Sequence, residues 1–343
     1  MGEESALHQY SKKRVRKVGE RLAHNPGMTL RDLSSEDYEV FVAWRRAHIS
    51  PLQNALNDVH DAISKYDEDA ILVGRLKRAE SIVQKLQRSG RQHCLDRLGD
   101  IAGVRLILSD NEAVEKAANK LVDGFGFKLL HDYIAGPAES SYWGIHLQGE
   151  YPPTSTVLGS TVNASKLLVE VQLRAWSQHE WATAVEAYDN IVFDYSLKRG
   201  EGSPEEREFF CIASRLINDA SENVTDDRAR LKSLNDKLGI MTKFDGTGDT
   251  MYLIRDEESP LSVSDSCLIS AQMDQQTVRV EIFHPGHESE ATSTYSKLER
   301  EAAPGEMYLL ARASSWENLK RADPNYYMAN EGFNRWLKGE LTA

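Results

Sequence analysis

Seven residues constrain this chain more than any others: Leu168-Val169-Glu170-Val171-Gln172-Leu173-Arg174. Their alternation is the two-residue period of a strand, with Val169, Val171 and Leu173 turned one way and Glu170, Gln172 and Arg174 the other. A strand that buries its apolar side this way offers a carboxylate, an amide and a guanidinium as a charged floor. Such a floor suits a metal–phosphate substrate, because the carboxylate can hold a cation or take a proton while arginine neutralises phosphate oxygens. A solvated strand face looks the same in isolation. The segments upstream decide between the two.

One of them, Asp100 to Leu108, predicts a second apolar strand that opens with an acid and carries Arg105. Asn111 is placed to cap the helix that follows, whose apolar positions Val114, Ala117, Ala118 and Leu121 recur at helical spacing until Gly124 and Gly126. Further upstream lie Arg75 and Lys77, then Ser81 and Lys85, one helical turn apart. Cations to hold a polyphosphate, an acid for Mg²⁺ and a second acid to take the proton of an attacking hydroxyl are the parts of a phosphoryl or pyrophosphoryl transfer site.

The order Arg75-x-Lys77-x3-Ser81-x3-Lys85, then Asp100 to Arg105, then Asp132-Tyr133-Ile134 leading to Tyr142 and His146, then Glu170 to Arg174, resembles the RelA/SpoT alarmone synthetase domain. The helix beyond, with Trp181-Ala182, resembles that family too. The resemblance implies transfer of the β,γ-pyrophosphate of ATP to a ribose 3′-hydroxyl. By the same resemblance Asp100 and Glu170 are the catalytic acids and the metal ligands, while Arg75, Lys77, Ser81, Lys85 and Arg105 grip ATP. Tyr142, His146, Gln172 and Arg174 face the acceptor, with Tyr142 stacking on its base.

The acceptor loop departs from the family pattern. Where that pattern has Lys, Gly and an Arg-Ser pair, this chain has Ala138, Ser141 and Trp143-Gly144, and Glu186 stands where a His is usual. A basic group suited to a free nucleotide's phosphates is gone, while the ATP side is intact. An acceptor held elsewhere along its length, such as a tRNA 3′ end, depends less on the missing lysine. Lys12, Lys13, Arg14, Arg16 and Lys17 form a basic run that reads either as a solvated helix face or as an RNA-backbone clamp.

The formal charge of −12 argues against nucleic-acid binding over the whole surface. No apolar run reaches membrane-span length and no signal-peptide core is visible, so a cytoplasmic enzyme is expected. Cys94, Cys211 and Cys267 fit neither a disulfide framework nor a zinc site.

The pattern predicts α+β architecture, with a mixed-sheet domain over 1–244 and a smaller α/β domain over 245–343; the resemblance implies that the first is the synthetase and the second regulatory. One apolar helical stripe is expected through Trp44, Ala47, His48, Leu52 and Leu56, and a single helix from about Glu205 to Leu238. The segment around Asp323-Pro324-Asn325-Tyr326-Tyr327 resembles the C-terminal region of fused toxic small alarmone synthetases, which implies an antitoxin-like element closing the ATP site until a phage protein releases it. Tyr326 and Tyr327 are its candidate plug residues. Three functions compete: a toxin or phage-defence effector that modifies tRNA, an alarmone synthetase acting on GDP or GTP or an adenosine equivalent, and a degenerate sensor module. Two retained acids that repel each other without a cation speak against the last.

Overall fold

The computed structural model describes residues 10–63, 69–88, 94–136, 138, 140–153, 162–163, 166–192, 197, 201–245, 252–255, 260–272, 275–303, 305–323 and 331–342. Its spine is a nine-stranded mixed sheet. In chain order the strands are β1 (Ile71–Leu76), β2 (Ala102–Leu108), β3 (Lys128–Asp132), β4 (Ile145–Tyr151), β5 (Leu167–Ala175), β6 (Tyr252–Arg255), β7 (Ser266–Gln272), β8 (Thr277–Phe283) and β9 (Glu306–Ala313). Across the sheet they run β3-β4-β5-β2-β1-β9-β7-β8-β6. β2 pairs with β5, and β6 with β8, in parallel; the other neighbours are antiparallel. This is the α+β class that the sequence predicts.

The helices are α1 (Lys12–His24), α2 (Ser35–Arg46), α3 (Ile49–Ile63), α4 (Ala79–Arg88), α5 (Asn111–Phe125), α6 (Trp176–Val192), α7 (Pro204–Ile217), α8 (Val224–Leu238), α9 (Ile240–Asp245), α10 (Glu288–Glu301), α11 (Trp316–Ala322) and α12 (Glu331–Thr342). The alternation of β5 has its predicted consequence. Val169, Val171 and Leu173 are fully buried, in one core with Leu52 and Leu56 of α3, Leu121 of α5 and Tyr295 of α10. Burying each such side chain favours the fold by about 1.5–3 kcal/mol. On the other face β5 carries the polar set, next to a second apolar core that includes Ile71 and Val73 of β1, Ile269 of β7 and Leu309 of β9.

The sheet does not stop at the expected boundary near residue 245. β9 pairs with β1 through Ala311 and Arg75, Arg312 and Gly74, and Ala313 and Val73. The main core likewise mixes Leu56 and Leu76 with Leu268, Tyr295 and Leu310. The glycine-containing stretch 246–250 lies outside the described residues.

Three local expectations are corrected. The helix expected over 205–238 is two, because Asp219 takes a left-handed φ of 52° and Asn223 then caps α8. The stripe through Trp44 and Leu56 spans the break between α2 and α3; His48 there is buried, with Nδ1 bonded to the Trp44 carbonyl at 2.8 Å. The cap of α5 is Asp110, whose side chain accepts from the Ala113 N–H at 2.8 Å, and Asn111 is the first helical residue.

Candidate active site

Register assembles the site on one face of the sheet. Glu170 lies opposite Gly103 and Gln172 opposite Arg105, while Arg75 pairs with Gly103 from the other side. Side chains at paired positions point the same way, so Arg75, Arg105, Glu170 and Gln172 share one floor. Gly103 sits between Arg75 and Glu170, and a Cβ there would meet nothing within 4 Å. This glycine leaves open space on the strand rather than serving a turn.

Above the floor, α4 presents Ser81, Gln84, Lys85 and Arg88, spaced as one helix face. Together they bound a cleft of about 350 Å³. Among the described residues six cations line it, including Arg78 and Arg88, which the sequence reading missed. The position of Arg88, three residues after Lys85 on the same helix, carried the signal. Glu186, Asp189 and Asp323 also reach the cleft.

Asp100 is anchored through one oxygen. Its Oδ2 accepts from Lys77 Nζ and from Lys85 Nζ, both at 2.8 Å. Its Oδ1 is buried without a hydrogen-bond partner. Burial alone would raise the acid, but the two ammonium groups overcome that and hold it at about 2. Buried Arg105 is pulled down to about 10 by desolvation and by Arg75, against the attraction of Asp323. Its Nε is buried without a partner too.

Glu170 is anchored in the same one-sided manner. Its Oε1 accepts from Gln172 Nε2 at 2.8 Å and lies 3.1 Å from His146 Nδ1, and among the described residues Oε2 has no protein partner. Burial pushes this carboxyl up, while the bond from His146 and that from Gln172 bring it below the usual carboxylate range. Since Glu170 accepts, His146 Nδ1 donates and its Nε2 accepts from the Tyr142 hydroxyl at 2.9 Å. That hydroxyl accepts from Arg174 Nε at 2.9 Å, and Arg174 also donates to Gln172 Oε1 at 3.1 Å. Five side chains therefore close a ring in which every proton has one assignment.

The ring fixes Tyr142. Arg174 lies 4.9 Å from its ring centroid, covering one face, and Tyr133 meets it edge-on at 5.5 Å. His131 and Tyr133 stack in parallel at 5.2 Å beside it, an aromatic pair that the sequence reading left without a role. The turn before the ring is built on Ser141, in the left-handed region at φ 64°, with its carbonyl bonded by Ser214 of α7 at 2.6 Å. Gly144 at φ 148° has no room for a Cβ: the Tyr142 hydroxyl is 2.8 Å away and the Leu173 carbonyl 2.9 Å. The loss of a side chain at this position is what lets Tyr142 reach His146.

The basic run on α1 divides. Arg14 pairs with Glu36 at 2.9 Å and Asp37 at 2.7 Å, and Arg16 with Asp96 at 2.7 Å. Lys13 and Lys17 are exposed, and Lys12 lines a second cavity with Trp44, His48, Arg97 and Lys166. Tyr326 and Tyr327 lie outside the described residues. The residue just before that stretch, Asp323, is buried in the cleft: its Oδ1 is 2.9 Å from Arg75 Nη1 and 3.1 Å from Arg105 Nη1.

The donor set fits Mg²⁺ rather than a metal that needs a full protein cage. Among the described residues no group of three or more metal-ligating side chains exists. A magnesium ion is content with one or two carboxylates, substrate phosphates and water. The unpartnered Asp100 Oδ1 supplies one such ligand, with Glu170 the candidate second.

A basic cleft with a half-free buried acid, beside a second half-free acid on a neighbouring strand, has the parts a phosphate-transfer site needs. Residues 74–190 match the family described as "Region found in RelA / SpoT proteins". No curated protein matches the chain. Among solved structures it is similar to small alarmone synthetase 1 from Bacillus subtilis bound to its product pppGpp, at 23% identity and a TM-score of 0.43, covering 57% of this chain and 99% of that one. It is also similar to a GTP pyrophosphokinase family protein from Streptococcus pneumoniae, at 22% identity and a TM-score of 0.43, covering 59% of this chain and 98% of that one. Among the described residues, no helix is long and apolar enough to cross a membrane.

Proposed function

We propose that the chain is an ATP-dependent pyrophosphokinase of the RelA/SpoT type, and that its acceptor is the ribose 3′-hydroxyl of the terminal adenosine of tRNA. One observation carries the reading: Asp100 and Glu170 are each fixed through one oxygen, with the other left for a ligand. Structural ion pairs have no need to keep such atoms unsatisfied in a buried site.

Arg75, Lys77, Lys85 and Arg105 bind and orient the triphosphate, with Ser81 on the same helix face as Lys85. Asp100 would hold Mg²⁺, which when bound neutralises charge on the transferring group. Glu170, kept ionised by its two donors, takes the proton of the attacking hydroxyl through Oε2. The new bond joins the acceptor oxygen to the β-phosphorus of ATP. The bond from that phosphorus to the bridging oxygen breaks, and AMP leaves with the electron pair.

Ala138 in place of a basic residue supports an acceptor gripped away from its reacting end, and exposed Lys13 and Lys17 are available to a tRNA backbone. A tRNA so modified cannot be charged, so the product would block translation as a toxin or phage-defence effector. The C-terminal region would restrain it, since Asp323 occupies the guanidinium groups a triphosphate needs. A phage protein or a separate antitoxin is the partner such a restraint implies. A second reading, GDP or GTP as acceptor, is favoured by the stacked His131–Tyr133 pair, which suits a free purine.

The test is to incubate the full chain with γ-labelled ATP, Mg²⁺ and either deacylated tRNA or GDP and GTP. Label on tRNA supports the proposal; label on guanine nucleotides alone replaces it with the second reading; no transfer to either sinks both. Asp323→Ala should raise activity at low ATP by roughly 10-fold, the factor expected when one charge-assisted contact no longer competes. An unchanged rate removes Asp323 from the restraint.

A further inference from the structure

Helix α4 carries Ser81 and Lys85 into the cleft, yet the group that accepts its first N–H comes from the far end of the chain. Glu299 Oε1 on α10 accepts from the Ala79 N–H at 2.9 Å, across 220 residues of sequence. A carboxylate there satisfies an orphan donor and complements the positive end of the helix. The other oxygen, Oε2, pairs with Arg45 Nη1 at 2.7 Å, and Arg45 Nη2 donates to the Lys77 carbonyl at 3.0 Å. Arg45 is 1% exposed and lies 4.8 Å from the Tyr295 ring of α10. Its pairing with Glu299 overcomes the burial that would otherwise lower it.

Glu299 thus bears on both lysines that hold Asp100. It fixes the start of the helix that delivers Lys85, and through Arg45 it fixes the backbone of Lys77. The seat is broad: Tyr38 donates to the Ser296 carbonyl at 2.8 Å and Arg46 to Ser293 Oγ at 3.0 Å. None of these residues reaches the cleft itself.

We propose that Glu299 is a positioning residue of the donor site, through which α10 sets the geometry of Lys77, Lys85 and Asp100. This rests on reading the cleft as the ATP site. It gives the C-terminal region two opposite actions: Glu299 builds the site and Asp323 fills it. Removing the whole region deletes both and leaves Arg45 buried without its partner, so point variants separate what truncation cannot.

The experiment compares the full chain with Glu299→Ala and Glu299→Gln by hydrogen exchange of amides 79–88 and by steady-state kinetics with ATP. In the alanine variant, exchange of α4 should rise at least ~10-fold, the factor one lost charge-assisted hydrogen bond corresponds to. The KM for ATP should rise by a similar factor, with kcat within about threefold. Glutamine keeps an oxygen for the Ala79 N–H and should recover most of the protection; if the alanine variant does not fold, Glu299→Asp, whose shorter side chain draws the carboxylate back from that N–H, carries the measurement in its place. Unchanged exchange over 79–88 overturns the proposal, as does an unchanged KM in an active variant. If the unaltered chain transfers nothing from ATP, the functional reading has failed, and the exchange result still decides whether Glu299 positions α4.

Discussion

The two halves of the cleft are held together by opposite means. On the donor half, full charges are stacked against one another: two lysines on Asp100 Oδ2 and two arginines on Asp323 Oδ1, with Arg105 Nε and Asp100 Oδ1 unpaired inside. On the acceptor half, Glu170, His146, Tyr142, Arg174 and Gln172 close a ring in which each bond supports the next. On the proposed reading, an anion and a cation would satisfy the charges of the donor half. The acceptor half is complete and supplies shape. Charge that is left unsatisfied confers binding; a network that satisfies itself confers orientation.

The sharpest test of that contrast removes its two half-free acids. Asp100→Asn and Glu170→Gln keep the shape of each side chain, and each should lower product formation by on the order of 10³-fold with melting little changed. Comparable activity in either would break the assignment. Next in size, Gly103→Leu adds a side chain to a strand position where a Cβ meets only open space. It should cost no stability and raise the Kd for ATP by roughly 100-fold, measured by titration; a collapse of the fold would show that the space is not a ligand's. On the acceptor half, His146→Phe opens the ring. Its kcat should fall roughly 10- to 100-fold while ATP affinity holds, and an equal loss of both would mean that the halves are not separable. Smallest, Ser141→Gly relieves a left-handed residue and should stabilise the chain by about 0.5 kcal/mol in denaturant unfolding, the strain relieved less the added entropy of the unfolded glycine.

What the sequence disclosed was local or periodic. The alternation of β5 told which side of the sheet is core and which is floor, and helical spacing put Ser81 and Lys85 together. The α+β class followed from the same patterns. What it did not disclose depends on contacts between distant residues. Nothing near Asp323 marks it as a partner of Arg75 and Arg105, more than 200 positions earlier. Nothing near Tyr142 says that its hydroxyl is locked between a histidine and an arginine, because the ring needs the register of β4 on β5. The missed break at Asp219 is of another kind: aspartate tolerates a left-handed turn better than most side chains, but nothing in the helical spacing around it announces one.

The pairing of β9 with β1 sets a schedule for synthesis. Until residues 306–313 have left the ribosome, β1, which carries Arg75, is an edge strand with a row of unpaired backbone groups. Glu299 is absent from the nascent chain for nearly as long. At roughly 5–20 residues per second, the 230 positions between Arg75 and Gly305 occupy on the order of ten to fifty seconds of translation. The cleft wall that carries Arg75 is then completed only once β9 has emerged, and Asp323 emerges ten residues after β9 ends.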